Sequence, residues 1–197
     1  MAWTKTGAPG AEFAEVRLGA GRLGATGVAI GATPLPYRLD YTLSTRRGFG
    51  TARLQVTARG QGWWRRLDLR RAPCGTWSAT TEQTGEAPLG PPGLARPLPA
   101  DAVDCDLGLS PLTNSLPVLR LGLLDGGNVP VDLTMAWVSV PDLRVQPDGQ
   151  RYTYVRRAAD DRHIIRYAAL DGTFSAELSV DHDGLVLDYP GLARRLG

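Results

Sequence analysis

Lysine is nearly absent from this 197-residue chain: Lys5 is the single one, and arginine supplies the rest of the 22 basic side chains. Cysteine is down to Cys74 and Cys105, and histidine to His163 and His182. Two thiols are too few for the disulfide framework of a secreted scaffold, so both are read as reduced. Neither histidine has a cysteine nearby, so neither a zinc spacing nor a local Cys-His nucleophile pair can be assembled. Apolar runs stay well short of the roughly 18 residues a spanning helix needs, and the N-terminus lacks the basic region, apolar run and cleavage site of a leader. A cytoplasmic placement is the expectation. Charge of one sign is missing too: 22 basic residues face 20 acidic ones, interspersed, for a net +2. That balance argues against the one-sided basic field nucleic acids require.

Glycine and proline are plentiful, at 24 and 15 residues, which implies many turns and short elements. The dominant pattern has period two, which sends successive side chains to opposite faces of a sheet. Tyr37, Leu39, Tyr41 and Leu43 alternate with Arg38, Asp40, Thr42 and Ser44, and Leu54, Val56 and Ala58 alternate with Arg53, Gln55, Thr57 and Arg59. Further strands are predicted at 14–18, 63–70, 118–124, 131–140, 151–157, 163–169, 174–180 and 185–189. Asp-Gly pairs at 125–126, 148–149, 171–172 and 183–184 read as turns between them. An all-β chain follows. Five prolines between Glu86 and Pro99 make that stretch a loop dividing comparable halves. Strand-like text recurs across it at offsets of 124, 120 and 122 residues: Ala52–Val56 with Ala176–Val180, Leu67–Leu69 with Leu187–Tyr189, and Ala14–Val16 with Ala136–Val138. These spacings are those of an internal duplication or of chance pairing.

Several motifs have bland readings. Gly19-Ala20-Gly21-Arg22-Leu23-Gly24 has the spacing of a dinucleotide-binding turn, but no helix can follow it, so it is read as a hairpin. Asp181-His182-Asp183-Gly184 begins like a calcium loop yet lacks the later acidic ligand, leaving a turn. No metal or cofactor is expected. Asp104-Cys105-Asp106 puts two carboxylates on one side of an extended segment, able to hold a cation or bind a sugar, or simply solvated. Alternation puts Arg65 on the face of Trp63, Leu67 and Leu69, among apolar neighbours. It must be turned outward by a bulge, paired with a carboxylate such as Asp40, or left for a ligand. Tyr152, Tyr154, Tyr167 and Tyr189 offer flat faces with polar tips, as sugar-bearing ligands and core edges both use.

Three stretches, Asp104–Leu107 running into Ser110–Pro117, Ala136–Leu143 with Gln150–Tyr152, and Leu187–Arg195, together with Tyr37–Tyr41, carry a family likeness. From about Phe13 to Arg195 the chain resembles the bacterial putative glycolipid-binding family, formerly a domain of unknown function. It departs from the pattern in having Leu119 before Arg120, where a second arginine is common, and Leu112 in place of a phenylalanine. The resemblance implies a spiral β-roll formed by internal duplication of two related antiparallel β-units, similar in shape to the half-barrel carriers of bacterial lipoproteins. On this reading residues 1–12 are a flexible N-terminus and 13–197 a single domain, with halves at about 13–84 and 101–197 around a loop at 85–100. Asp40, Tyr41, Asn114, Arg120, Gln150, Tyr152 and Tyr189 occupy family-motif positions. The family supplies no established catalytic or binding set.

The expected function is a non-catalytic protein holding a glycolipid or other amphiphile in an apolar concavity of about 300 Å³ or more. Arg65, Asn114 and Arg120 would meet the headgroup, and Trp63, Leu67, Leu69, Phe174, Leu178 and Val180 would line the chain-binding side. A rival is a protein-protein interaction module with a filled β core. A third reading is an enzyme using Asp104, Asp106 and Asp142 as acid and base, two of which would have to share one pocket. Peripheral membrane contact and oligomeric state stay open.

Overall fold

The computed structural model describes residues 1–127 and 129–197. The first half is a meander of long strands, β1 (Ala2–Lys5), β2 (Gly10–Gly19), β3 (Arg22–Gly31), β4 (Tyr37–Thr45), β5 (Thr51–Gly60), β6 (Trp63–Arg71) and β7 (Trp77–Thr84). A two-residue strand β8 (Gly93–Leu94) and the short β9 (Cys105–Leu107) lead to the only α-helix among the described residues, α1 (Ser115–Arg120). The second half continues with β10 (Val131–Val138), β11 (Arg144–Arg157), β12 (His163–Ala169), β13 (Ser175–Val180), β14 (Val186–Tyr189) and β15 (Ala193–Arg195). The protein is all-β. One mostly antiparallel sheet runs β7-β6-β5-β4-β3-β2-β1-β15-β14-β13-β12-β11-β10-β9 and does not close.

The alternating runs form strands because one face of each can be buried. In β4, Tyr37, Leu39, Tyr41 and Leu43 are buried while Arg38, Thr42 and Ser44 are exposed and Asp40 is half-buried. Three aromatic rings lie over glycines directly across the ladder: Tyr41 over Gly27, Tyr37 over Gly31 and Trp63 over Gly60. A Cβ on Gly27 would stand 2.3 Å from Tyr41 Cζ, so glycine is needed there for close approach. Ala20 and Gly21, at φ 51° and 68°, make the two-residue turn between β2 and β3. The expected glycine-rich hairpin therefore stands where the phosphate-binding spacing occurs.

Three expectations are corrected. Residues 1–12 are not a loose end: β1 pairs with both β2 and β15, and fully buried Trp3 donates from Nε1 to the Val186 carbonyl at 2.9 Å. The stretch 118–124 is not a strand. Helix α1 covers its start and a 3₁₀ turn covers Leu123–Asp125, because alternating leucines beside Pro117 suit a short helix as well as a strand. Asp148-Gly149 makes no turn but lies inside β11, where Leu170 packs over the glycine. The reversal comes earlier, at 139–143, with Leu143 at φ 61°. The proline-rich loop is pinned through β8, which runs parallel to Arg144 and Val145.

Two of the strands matched by sequence are ladder neighbours within each half. Gln55 faces Asp68 across β5 and β6, and Ser179 faces Asp188 across β13 and β14. A large core joins the first-half strands to β9, the start of α1 and parts of β10, β11 and β15. A second cluster, around Tyr152, Tyr167, Leu178 and Tyr189, fills the other half, and Leu192 touches both.

Candidate functional site between the two halves

The nine residues singled out from sequence separate into groups. Asn114, Gln150, Tyr152 and Tyr189 come together. Asn114 Nδ2 donates to the Tyr152 hydroxyl at 2.9 Å, and that hydroxyl donates to Gln150 Oε1 at 3.1 Å. Gln150 Nε2 in turn donates to Asp106 Oδ2 at 2.7 Å and Asp148 Oδ2 at 2.9 Å. The other Asp106 oxygen accepts from Thr113 Oγ1 at 2.9 Å. The segment after β9 carries Thr113 and Asn114 back over β11, and the parallel register that sets Asp106 beside Trp137 aims both at one space.

That space is a cavity of about 350 Å³ lined by Asp106, Leu109, Ser110, Asn114, Trp137, Ser139, Val140, Tyr167, Tyr189 and Leu192, with Gly108 at its edge. Its floor is polar and one wall aromatic. Tyr167 and Tyr189 have ring centroids 5.9 Å apart, and Phe174 leans on both at 6.1 Å. A smaller cavity of about 150 Å³, lined by Lys5, Pro9, Ile30, Ala32 and Tyr37 among others, shares Leu109 and Leu192 with it. Leu109 stands between the two at φ 62° and is 42% exposed. Lys5 Nζ holds this turn by donating to the Leu109 carbonyl, and Ser110 Oγ donates to Glu12 Oε1 at 2.6 Å.

Burial governs the ionisable groups here. It pushes the Asp106 carboxyl up, with the Asp148 charge adding to the effect against hydrogen bonds from Gln150 and Thr113. It likewise raises the Tyr152, Tyr167 and Tyr189 phenols, so all three are neutral donors at ordinary pH. The Cys105 thiol, enclosed behind the floor, is pushed up to about 12 and is inert.

The remaining predicted residues lie elsewhere. Tyr41 is buried in the first-half core and donates to Glu12 Oε1 at 2.8 Å. Arg120 forks onto Asp104 with Nε–Oδ2 and Nη2–Oδ2 distances of 2.8 Å. Asp40 pairs on the outer face with Arg38 at 2.7 Å. Trp63 sits in the first-half core, and Arg65 points inward beside it without a bulge. The partner expected for Arg65 was a carboxylate or ligand; its donors go instead to the backbone carbonyls of Gly90, Leu89 and Asp142. It fastens the proline-rich loop. The proposed chain-lining set is also divided: Trp63, Leu67 and Leu69 fill one core cluster, Leu178 and Val180 the other, and Phe174 leans on the aromatic wall.

Asp106, Trp137 and Tyr167 were not among the chosen nine. A signal for Asp106 existed in the Asp-Cys-Asp spacing, and one for Tyr167 in its alternation with Arg166. Trp137 carried no signal beyond its family stretch. Asp142 does not line the cavity, and Asp104 belongs to Arg120, so Asp106 is the one member of the acid-base trio at this site.

No curated protein matches the chain. The crystal structure of a DUF1089 family protein from Pseudomonas aeruginosa is similar over 94% of this chain and 92% of that one, at 29% identity and a TM-score of 0.71. A family model described as "Putative glycolipid-binding" matches residues 1–195, and the chain belongs to that family.

Proposed function

We propose that this protein binds an amphiphile without transforming it, seating the headgroup on the Asp106–Asn114 floor, which Gln150 braces, and leading the apolar part past Leu109 toward Ile30. The observation that carries this reading is the pairing of a polar-floored, aromatic-walled cavity of about 350 Å³ with a second one of about 150 Å³ across Leu109 and Leu192. Volume in this range, mostly apolar walls and a few convergent polar groups are the usual makings of a small-molecule site. The family description supports a ligand of the glycolipid class. A binding role fits a lining with one carboxylate better than acid-base glycoside chemistry, which needs two across one ligand.

The same reading keeps the protein in the cytoplasm as a carrier or sensor of such a molecule, and treats the halves as copies of one unit. Among the described residues no helix is long and apolar enough to cross a membrane. Native mass spectrometry of protein purified gently from its host, followed by organic extraction, tests the proposal. A discrete excess mass that extracts as an amphiphile is the expected result. A clean apo mass, no uptake from a mixed lipid extract, and a stoichiometric protein partner would replace it with the interaction-module reading.

A further inference from the structure

Three acidic side chains are buried among the described residues, Glu12, Asp104 and Asp106, and two of them have a cation of their own. Lys5 Nζ lies 2.8 Å from Glu12, and Arg120 Nη2 lies 2.8 Å from Asp104. Asp106 has none. Its two oxygens accept only from a hydroxyl and a carboxamide, and that carboxamide is shared with a second carboxylate, Asp148. Among the described residues the lining of the cavity includes no arginine, lysine or histidine. A buried carboxylate without a cation is costly unless other donors reach it, and burial holds this one above the usual carboxylate range. Of the three, this is the one that lines the 350 Å³ cavity.

We infer that the cavity selects a neutral, hydroxyl-donating headgroup such as a hexose over a phosphate-bearing one, and that Asp106 is the residue that sets the preference. This rests on the amphiphile-binding reading above and narrows it to one headgroup class. A sugar hydroxyl donates to a carboxylate and accepts from a neighbouring hydroxyl or amide, and Ser110, Ser139 and Asn114 supply such partners on the same lining. The apolar face of a pyranose suits the rings of Trp137, Tyr167 and Tyr189. A phosphate would meet the fields of Asp106 and Asp148 with no cation to offset them. A trimethylammonium headgroup suits rings and carboxylate but donates no hydrogen bond, so it leaves the polar floor unserved.

The test titrates the intact chain with three lipids carrying identical acyl chains in matched neutral micelles: a glucosyl-diacylglycerol, phosphatidylglycerol and phosphatidylcholine. The glucosyl lipid is expected to bind tightest, by at least about tenfold over phosphatidylglycerol. Equal or tighter binding of either phospholipid overturns the inference and leaves the amphiphile reading standing. Binding of none of the three overturns the amphiphile reading itself. Asp106→Asn is expected to narrow the ratio of glucosyl lipid to phosphatidylglycerol, and Asp148→Asn, at a less buried position, to narrow it less. An unchanged ratio in whichever variant melts like the wild type overturns the role given to Asp106.

Discussion

Asp104 and Asp106 stand two residues apart on the same side of one extended segment, yet Arg120 reaches only Asp104. The guanidinium forks onto a carboxylate with no solvent exposure, and burial still raises the Asp104 pKa against that pairing. Arg120→Met leaves this charge enclosed and alone, so a loss of about 3–5 kcal/mol is expected, measured by urea unfolding. Adding Asp104→Asn to the same chain should restore much of the loss. A single variant as stable as the wild type would mean that Asp104 is protonated in the fold.

Asp68 has the opposite electrostatics. Hydrogen bonds from Arg53, at 2.8 and 2.6 Å, and from Arg70 outweigh its partial burial and hold its carboxyl well below the ordinary 3.8. The resulting stability is present above that ordinary value and disappears as pH falls toward the lowered one. Asp104 and Asp106, with raised values, contribute in the reverse sense and lose their share as pH rises. The gap between the urea midpoints of wild type and Asp68→Asn should therefore narrow steadily as pH falls from about 5 to about 2. A gap that stays constant would remove the ion pairs from the account.

Gly27 and Gly24 lie on the same strand and answer differently to one methyl group. At Gly27 it collides with the Tyr41 ring and displaces the hydroxyl from Glu12, costing about 1–3 kcal/mol. At Gly24 the nearest atom is the Leu43 carbonyl oxygen at 3.9 Å, an ordinary contact. Thermal melts of Gly27→Ala and Gly24→Ala should separate clearly, with the second close to wild type.

Trp3 is fully buried at the junction of the halves, and its ring nitrogen binds a carbonyl 183 residues away. Trp3→Ala should cost about 3–5 kcal/mol in denaturant unfolding. Trp3→Phe, which keeps most of the volume but not the donor, should lose less.

Strand identity was legible wherever one face of a run is apolar and the other polar, as in Tyr37–Leu43 and Trp63–Leu69. Arg65 shows the limit. Alternation places it inward, but its partners lie on a loop 24 and 25 residues away and at a turn 77 residues away, which no local pattern announces. Gly149 was misread because its role is to admit Leu170 from the neighbouring strand. Asn114 and Tyr189, which line the site, and Gln150 and Tyr152, which brace it by hydrogen bonds, were named from sequence. Asp106 as their unpaired centre was not, since its lack of a cation depends on where Arg120 and Lys5 end up.

The pairing of β1 with β15 also bears on how the chain is made. Residues 2–5 leave the ribosome long before their second neighbour, residues 193–195, has been synthesised. The meander from β1 to β7 can form early, but the outer edge of β1 stays open until residues 193–195 have emerged. A nascent chain stalled near residue 180 thus presents an unsealed strand to chaperones and to other copies of itself. The most enclosed tryptophan of the folded chain is at a sheet edge until those residues arrive.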